Sequence, residues 1–361
     1  MTIPDVYDTL TERLGFPGSK LLRAALEETL NPTEAKLVET LPGTVAEVAA
    51  KTSVPESEAK KVLDELYFRG MVVPTDSLDS RNAYRFHGRA VDVMDSVFIN
   101  PRLDPNQGQT FGRKWQGFWK NEGELSFAAW LGGKEPRARI VPAYGAIKDL
   151  IGILPQENFH ELLKTQELIS VQRCACRMRA DLSGDKCTHT RETETNHCLS
   201  FGPSAELFIH QGVGKRLTLS EAITLSEVIE KEGLVHRWVF RADASPSGMQ
   251  HSGQCCTDCR IFQALVRGGL DFTSEWQKSR YEAYVTDLDA CDGCQICVER
   301  CHFDAIQMDK IPGSKRLKAA VDPEKCMGCG VCVIGCGQEA IKMQVVRPPE
   351  WIPGVPAGSS I

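Results

Sequence analysis

Two cysteine-rich stretches decide the C-terminal fold, CDGCQICVERC over residues 291–301 and CMGCGVCVIGC over residues 326–336. Both have the spacing C-x2-C-x2-C-x3-C. The second stretch repeats the first at an offset of 35 residues, so that every cysteine of one maps onto a cysteine of the other. The match continues outside the cysteines, since Asp287 maps to Asp322 and Met308 to Met343. The two stretches are therefore an internal duplication of one small ligand-bearing unit.

The spacing of these cysteines is typical of ligands of a cubane iron–sulfur cluster. A pair of zinc sites or a disulfide framework is the alternative interpretation. Zinc sites seldom place four cysteines so close together in a duplicated unit. The stretches therefore predict two [4Fe–4S] clusters, in a compartment that keeps thiols reduced.

Residues 284–346 resemble the bacterial-type ferredoxin with two [4Fe–4S] clusters. In that family the first three cysteines of a run bind one cluster and the fourth binds the other. The resemblance implies that cluster one is bound by Cys291, Cys294, Cys297 and Cys336. It implies that cluster two is bound by Cys326, Cys329, Cys332 and Cys301. The family usually has proline after the fourth cysteine, where this chain has His302 and Gly337. This departure does not change the ligands, but the reduction potentials of the clusters cannot be taken from the family.

The chain has 361 residues, of which 15 are cysteine, and this length predicts about two or three domains. Its charged and apolar fractions are those of a globular protein. We predict an α+β multidomain fold with five segments, namely a winged-helix-like helical domain (1–100), an aromatic-rich connector (101–136), a Cys-rich α+β domain (137–280), the two-cluster domain (281–346) and a proline-rich tail (347–361).

The N-terminus and the overall charge indicate where the chain works. The first ten residues include Asp5 and Asp8 and no basic flank, unlike a signal peptide. No run of about 18 apolar residues occurs, so no membrane span is predicted. We predict a cytoplasmic protein, and the net charge of −6 disfavours a nucleic-acid partner.

The N-terminal third predicts helices followed by a hairpin. A T-x-x-E capping box at Thr44 begins one helix, Pro55 begins a second, and strands are predicted over 71–74 and 83–86. The pattern resembles a winged-helix domain, in whose DNA-binding members the second helix of the pair enters the major groove. Helix 55–69 carries more acidic than basic residues here, which favours protein docking over DNA binding.

An aromatic stripe follows a loop rich in polar residues. Phe111, Trp115, Phe118 and Trp119 have the spacing of one helix face. Such a stripe could line a cofactor or substrate, but a core or a subunit interface is the more usual role. We predict a core or an interface, and expect the stripe to serve as a docking surface for a redox partner.

Seven cysteines lie outside the duplicated unit: Cys174, Cys176, Cys187, Cys198, Cys255, Cys256 and Cys259. The first two follow a predicted helix over 155–166 and a predicted strand over 168–172. Cys187 and Cys198 fall in a polar loop without helical period, which a bound metal would order by coupling its binding to folding. Thr257 or Asp258 is predicted to cap a helix, which would place Cys255 and Cys256 at a helix N-terminus.

Three interpretations of these seven cysteines stay open. The first is a third iron–sulfur cluster with Cys174, Cys176, Cys187 and Cys198 as ligands, or with one ligand taken from Cys255, Cys256 and Cys259. The second is structural zinc, with His189 or His197 as replacement ligands. The third is redox-active thiols. We favour the third cluster because two clusters are already predicted for the chain, and we interpret His189, His197 and His251 as bystanders.

Several basic residues accompany the first four of these cysteines: Arg173, Arg177, Arg179, Lys186 and Arg191. Guanidinium groups near a thiolate-bound cluster would stabilise its reduced state and raise its potential. A solvated basic loop and an anion-binding surface are the alternatives.

The motifs together predict an electron-transfer role. The sequence has no G-x-G-x-x-G loop, so a Rossmann dinucleotide site is not expected. We predict an iron–sulfur protein that relays single electrons between a redox partner and a larger oxidoreductase of anaerobic metabolism, within a complex or as a homo-oligomer. A redox-sensing winged-helix transcription regulator and a catalytic subunit with an open site at the third centre are the alternatives. The tail 347–361 is predicted to be disordered or an extended strap on a partner.

Overall fold

The computed structural model describes residues 5–100, 105–185, 187, 196–239, 250–313 and 315–353. The helices in this part are α1 (Val6–Arg13), α2 (Lys20–Thr29), α3 (Pro32–Glu39), α4 (Val45–Thr52), α5 (Glu56–Phe68), α6 (Ala90–Phe98), α7 (Pro105–Phe118), α8 (Glu124–Leu131), α9 (Tyr144–Ile147), α10 (Phe159–Lys164), α11 (Ala175–Ser183), α12 (Gly202–His210), α13 (Leu219–Glu232), α14 (Arg260–Arg267), α15 (Ile296–Glu299) and α16 (Val331–Ile334). A π-helical turn, Trp119–Gly123, follows α7.

The strands are β1 (Gly43–Thr44), β2 (Val72–Pro74), β3 (Ala83–Phe86), β4 (Ala138–Val141), β5 (Ile169–Arg173), β6 (Asn196–Phe201), β7 (Gly214–Leu217), β8 (Val235–Val239), β9 (His251–Cys255), β10 (Trp276–Gln277), β11 (Tyr281–Val285), β12 (Ile306–Lys310), β13 (Leu317–Val321) and β14 (Ile341–Val345). This mixture of helix and sheet agrees with the predicted α+β class. None of the described helices is both long and apolar enough to cross a membrane.

The chain divides into two compact units. The first comprises Met1–Phe127, Gln172–Thr188 and Glu206–Lys215, and the second comprises Ala128–Val171, His189–Ala205 and Arg216–Ile361. Each unit is therefore assembled from segments that are separated in the sequence.

The first unit contains the predicted pair of helices and the hairpin. α4 begins with the predicted capping box, in which Thr44 and Glu47 bond reciprocally to each other's backbone N–H groups. α5 follows, and β2 and β3 pair in antiparallel fashion, with β1 added on the other side of β3. The two predicted helices and the hairpin are confirmed, with Pro55 as the N-terminal cap residue of α5 rather than its first residue. The assignment to the winged-helix class stays a prediction.

Removing the cap of α4 should lower stability by a modest amount. The Thr44 hydroxyl accepts the Glu47 N–H at 3.2 Å and the Glu47 carboxylate accepts the Thr44 N–H at 2.7 Å. We expect Thr44→Ala to cost about 1 kcal/mol, because one N-terminal donor of the helix loses its partner. Lys51→Ala, on an exposed position of the same helix, is the control. Equal urea midpoints for the two variants would contradict the expectation.

The aromatic stripe forms part of the core of the first unit. Phe111, Trp115, Phe118 and Trp119 are each at most 4% exposed. The Trp115 indole N–H donates to the Thr29 hydroxyl at 3.1 Å, which satisfies its polar group away from water. The core interpretation is confirmed, and the expectation that the stripe is a docking surface is wrong.

α11 is an element that the sequence does not predict. Its segment is rich in arginine and cysteine and lacks an apolar period. It packs closely on α7 in the first unit, where a Cβ at Gly112 would lie 2.7 Å from the Leu182 backbone. Glycine at this position therefore lets the two helices approach each other.

A seven-stranded sheet has the order β10-β4-β8-β9-β6-β5-β7, and most of its residues belong to the second unit. β10 runs parallel to β4, whereas β4, β8, β9 and β6 pair in antiparallel fashion. The predicted helix over 155–166 is wrong, because the extended residue Asn158 separates a 3-10 turn, Pro155–Glu157, from α10 and caps α10 with its side chain. Phe159 and Leu163 of α10 are buried in one apolar cluster with Phe201 of β6.

The duplicated cysteine unit folds as two small strand pairs within the second unit. β11 pairs with β14, and β12 pairs with β13, both antiparallel. Tyr281, Ile306 and Ile341 are buried in the same apolar cluster as several of the cysteines. The first strand of the region thus pairs with its last strand, which closes the domain around the two ligand loops.

The described part of the tail lies on its own unit. The Trp351 indole N–H donates to the Lys278 carbonyl at 2.8 Å, and the Gln277 amide donates to the Trp351 carbonyl at 2.6 Å. Residues 347–353 are therefore ordered on the chain itself, contrary to the expected disorder or partner-bound strap, and 354–361 lie outside the described residues.

Candidate metal centres

The backbone of the two cysteine loops repeats the sequence duplication. Left-handed residues occur at matching positions, in the pairs Gly293 and Gly328, Gln295 and Gly330, and Asp304 and Glu339. The members of the second pair precede α15 and α16. The Cβ of any larger residue at Gly328 would collide with the Tyr281 carbonyl, so this turn needs glycine. The same tight turns therefore present both sets of thiols.

The structure gathers the eight thiols around two cavities of similar size. One cavity, of about 340 Å³ including space open to solvent, is lined by Cys291, Cys294, Cys297 and Cys336. The other, of about 310 Å³ on the same measure, is lined by Cys301, Cys326, Cys329 and Cys332. In each cavity three thiols come from one run and the fourth comes from the other run. The remaining walls are mainly apolar, with Met308 and Ile341 at the first and Ile306 and Val321 at the second.

Burial makes these thiols costly to ionise without a bound cation. Burial, with the neighbouring thiolates of Cys291, Cys294 and Cys336, raises the pKa of the Cys297 thiol to about 11. Burial also raises the pKa of Cys329 and that of Cys332, and the nearby thiolates add to the shift. Four thiolates can be held so closely in an apolar cavity only if a positively charged core compensates them. The donor set and the cavities therefore fit iron–sulfur clusters.

The two cavities differ in their access to solvent. Cys294 is exposed, whereas Cys326, Cys329 and Cys332 are buried. An exposed loop that contains Asp287 and Asp289 precedes the first run. Cys301 and Cys336 are each partly exposed, so the clearest difference between the two sets is the exposed thiol of Cys294.

Backbone groups support the second cavity from the rest of the second unit. The Ala143 N–H donates to the Cys329 carbonyl at 2.9 Å. The Ala305 N–H donates to the Cys301 sulfur at 3.3 Å. The bond to the Cys329 carbonyl holds the backbone of that ligand in place, and the bond to the Cys301 sulfur stabilises negative charge on it.

The other seven cysteines are distributed over both units. Cys174, Cys176 and Cys187 belong to the first unit and are buried, and Cys198, Cys255, Cys256 and Cys259 belong to the second. Cys174 follows β5, as expected, and precedes α11, and Cys176 lies in the first turn of that helix. Cys198 lies on β6, so the expectation that it falls in a polar loop is wrong.

The expected cap of the later group is also wrong. Cys255 ends β9, and Cys259, rather than Thr257 or Asp258, precedes α14 as its N-terminal cap residue. The thiol next to the helix N-terminus is therefore that of Cys259. Neither Cys255 nor Cys256 is at that position, because the chain makes a turn between the strand and the helix, with Cys259 N–H bonded to the Cys256 carbonyl at 2.9 Å.

The structure describes two of the three histidines and three of the five basic residues that accompany these cysteines in the sequence. His197 Nε2 lies 3.0 Å from the Glu232 carboxylate, and His251 Nε2 accepts a hydrogen bond from Arg237 at 2.6 Å. Arg177 and Arg179 are buried in the first unit. Arg173 is half-buried, and His189, Lys186 and Arg191 lie outside the described residues.

Arg237 is a residue that the sequence analysis misses. Burial lowers the pKa of this guanidinium, but Cys255, Glu275 and Cys259 together raise the pKa further than burial lowers it. Its Nη1 lies 3.3 Å from the Glu275 carboxylate. No sequence signal could reveal this cation, because strand pairing and not sequence proximity brings it to the cysteines.

The family comparison agrees with the geometry of the C-terminal region. Residues 290–340 match the family model of the 4Fe-4S dicluster domain. No curated protein and no solved structure matches the chain. The chain therefore contains a 4Fe-4S dicluster domain near its C-terminus, and the resemblance to two-cluster ferredoxins is confirmed there.

Proposed function

We propose that this chain is an iron–sulfur electron-transfer protein, working as a subunit or adaptor that passes single electrons between a redox partner and a larger oxidoreductase in the cytoplasm. The observation that carries the proposal is the pair of four-cysteine cavities within one dicluster domain. A cubane cluster bound in each cavity would accept and release one electron at a time.

The same observation supports a proposal for the ligand sets. We propose Cys291, Cys294, Cys297 and Cys336 for cluster one and Cys326, Cys329, Cys332 and Cys301 for cluster two. The protein would hold the thiols in place with the tight turns at Gly293 and Gly328 and exclude water with the apolar walls. Cluster one, beside the exposed Cys294, would exchange electrons with the partner.

A third centre is a further part of the proposal. We propose that Cys174, Cys176, Cys187 and Cys198, with Cys255, Cys256 and Cys259 as alternative or additional ligands, hold iron–sulfur rather than zinc. The burial of most of these thiols and the buried cation Arg237 beside Cys255 support it, since a cation stabilises a negatively charged thiolate centre. Cys176→Ser should then remove iron without removing the eight irons of the other two clusters, and loss of zinc instead would support the alternative.

We propose a docking role for the N-terminal residues 1–100. The acidic residues of α5 support this role over DNA binding, and two of the nearby cations, Lys60 and Arg81, are paired with Asp64. A helix that enters the major groove needs cations available to phosphates. The acidic character of α5 therefore disfavours the transcription-regulator alternative.

A binding experiment tests this preference directly. We expect no retardation of random duplex DNA at low salt, because phosphate contacts by available cations supply most non-specific affinity. A charge-reversed variant, Glu56→Lys with Glu58→Lys, is the control for the assay's sensitivity. Retardation by the unaltered chain that disappears steeply as salt is raised would favour the regulator instead.

An electron-counting experiment tests the proposed function. The anaerobic protein, reduced and freed of excess dithionite, is mixed with cytochrome c as a one-electron acceptor. We expect at least about two electrons per chain, one from each cluster, and about one fewer from Cys326→Ser. A protein that retains both clusters yet transfers no electrons would contradict the proposal.

A further inference from the structure

Two residues that flank Cys301 connect the second cavity to α13 within the second unit. Arg300 donates from Nη2 to the Glu230 carbonyl at 2.7 Å and from Nη1 to the Lys231 carbonyl at 2.9 Å. These carbonyls belong to the last turn of α13, where helix carbonyls lack partners within the helix. A cation is favourable at that end of a helix because of its dipole.

The same guanidinium also reaches the second cysteine run. Arg300 Nε donates to the Val331 carbonyl at 2.7 Å, next to Cys332. A Cβ at Gly335 would collide with the Arg300 side chain, and one at Gly233 would lie 3.2 Å from its Cζ. Glycines on two different elements therefore leave the space that this side chain fills.

His302 makes the second connection. It occupies the position where two-cluster ferredoxins usually have proline, and it is 4% exposed. Its Nε2 lies 2.7 Å from the Gly233 carbonyl. A carbonyl oxygen can only accept, so Nε2 carries the proton of this hydrogen bond. Proline could not make this bond.

We propose that Arg300 and His302 are positioning residues that fix cluster two against the end of α13 and set its reduction potential. The inference rests on the proposed function, because it requires a cluster in the second cavity. The Arg300 charge interacts electrostatically with Cys332 and Cys329, which favours the more negative, reduced state of the cluster. His302 holds the backbone of the ligand Cys301 to Gly233.

The Arg300 contribution is tested by redox titration of the whole chain, followed by EPR. We expect Arg300→Gln to lower the reduced-to-oxidised ratio of cluster two about tenfold at a fixed applied potential. For a one-electron couple this corresponds to a reduction potential about 59 mV lower. Arg300→Lys should keep most of the potential, because it keeps the charge. Lys342→Gln, which removes an exposed cation from β14, is the control and should change the ratio little, since solvent screens exposed charges.

The His302 contribution is tested by a pair of substitutions. His302→Gln keeps an N–H donor and should retain about eight irons, whereas His302→Leu removes the donor and should lose iron from cluster two faster under a chelator. The inference would be overturned, with the proposed function untouched, by equal iron loss from the two His302 variants. An unchanged reduction potential in Arg300→Gln, with eight irons present, would have the same effect. Absence of iron and sulfide from the unaltered chain would instead overturn the proposed function.

Discussion

Replacing both Cys301 and Cys326 with serine should remove one cluster, whereas replacing both Cys301 and Cys291 should remove two. The reason is the composition of the two cavities, in which Cys301 shares its cavity with Cys326 and not with Cys291. A cubane cluster needs its full set of thiolates, so the loss of one or of two ligands from the same set destroys only that cluster.

Iron content distinguishes these outcomes without any assignment of spectra. The first double variant should retain about four of the eight irons, and the second should retain close to none. If the four cysteines of each run held their own cluster, the two results would be exchanged. That exchange would contradict the ligand sets proposed for both clusters.

Breaking the buried ion pair between Glu157 and Arg280 should be the most damaging change to stability. The two side chains are 2.8 Å apart and each is 1% exposed. Glu157 also accepts the Tyr281 hydroxyl at 3.1 Å, and it therefore links the 3-10 turn before α10 to β11 within the second unit. Glu157→Leu would leave the Arg280 charge buried without its partner, at a cost of about 3–5 kcal/mol.

Two further variants identify the cause of that loss. The pair Lys164 and Glu161 is 2.6 Å apart, with side chains 50% and 40% exposed, so Glu161→Leu should cost about 1 kcal/mol or less. The double variant Glu157→Leu with Arg280→Leu should recover part of the stability, because it leaves no buried charge unpaired. The measurement is the urea midpoint of the anaerobic protein by circular dichroism. Equal midpoints for Glu157→Leu and Glu161→Leu would contradict the expectation.

The sequence predicts the local structure of the cluster loops well because the duplication repeats every feature that matters there. Glycines and cysteines recur at the same offset, and the left-handed residues follow the same repeat, including Gln295 opposite Gly330. What the sequence leaves undetermined is the support of these loops. Contacts such as Arg300 with α13 join residues about 70 positions apart, and no local pattern indicates them.

The middle of the chain is less predictable for physical reasons that differ between elements. α11 carries two arginines and one cysteine where apolar residues would be expected, so it shows no apolar helical period. Cys198 follows a polar segment but lies on a central strand of a sheet whose order departs from the chain order. The aromatic stripe shows the opposite case, since its helical spacing predicts its burial correctly but carries no information about a docking role.

The content of iron, acid-labile sulfide and zinc in anaerobically prepared protein shows whether the chain binds iron–sulfur clusters. We expect at least about eight irons and eight sulfides per chain, about twelve of each if the third centre is also an iron–sulfur cluster, and no stoichiometric zinc. Zinc bound by the duplicated cysteines, with iron and sulfide absent, would contradict the claim that this chain transfers electrons.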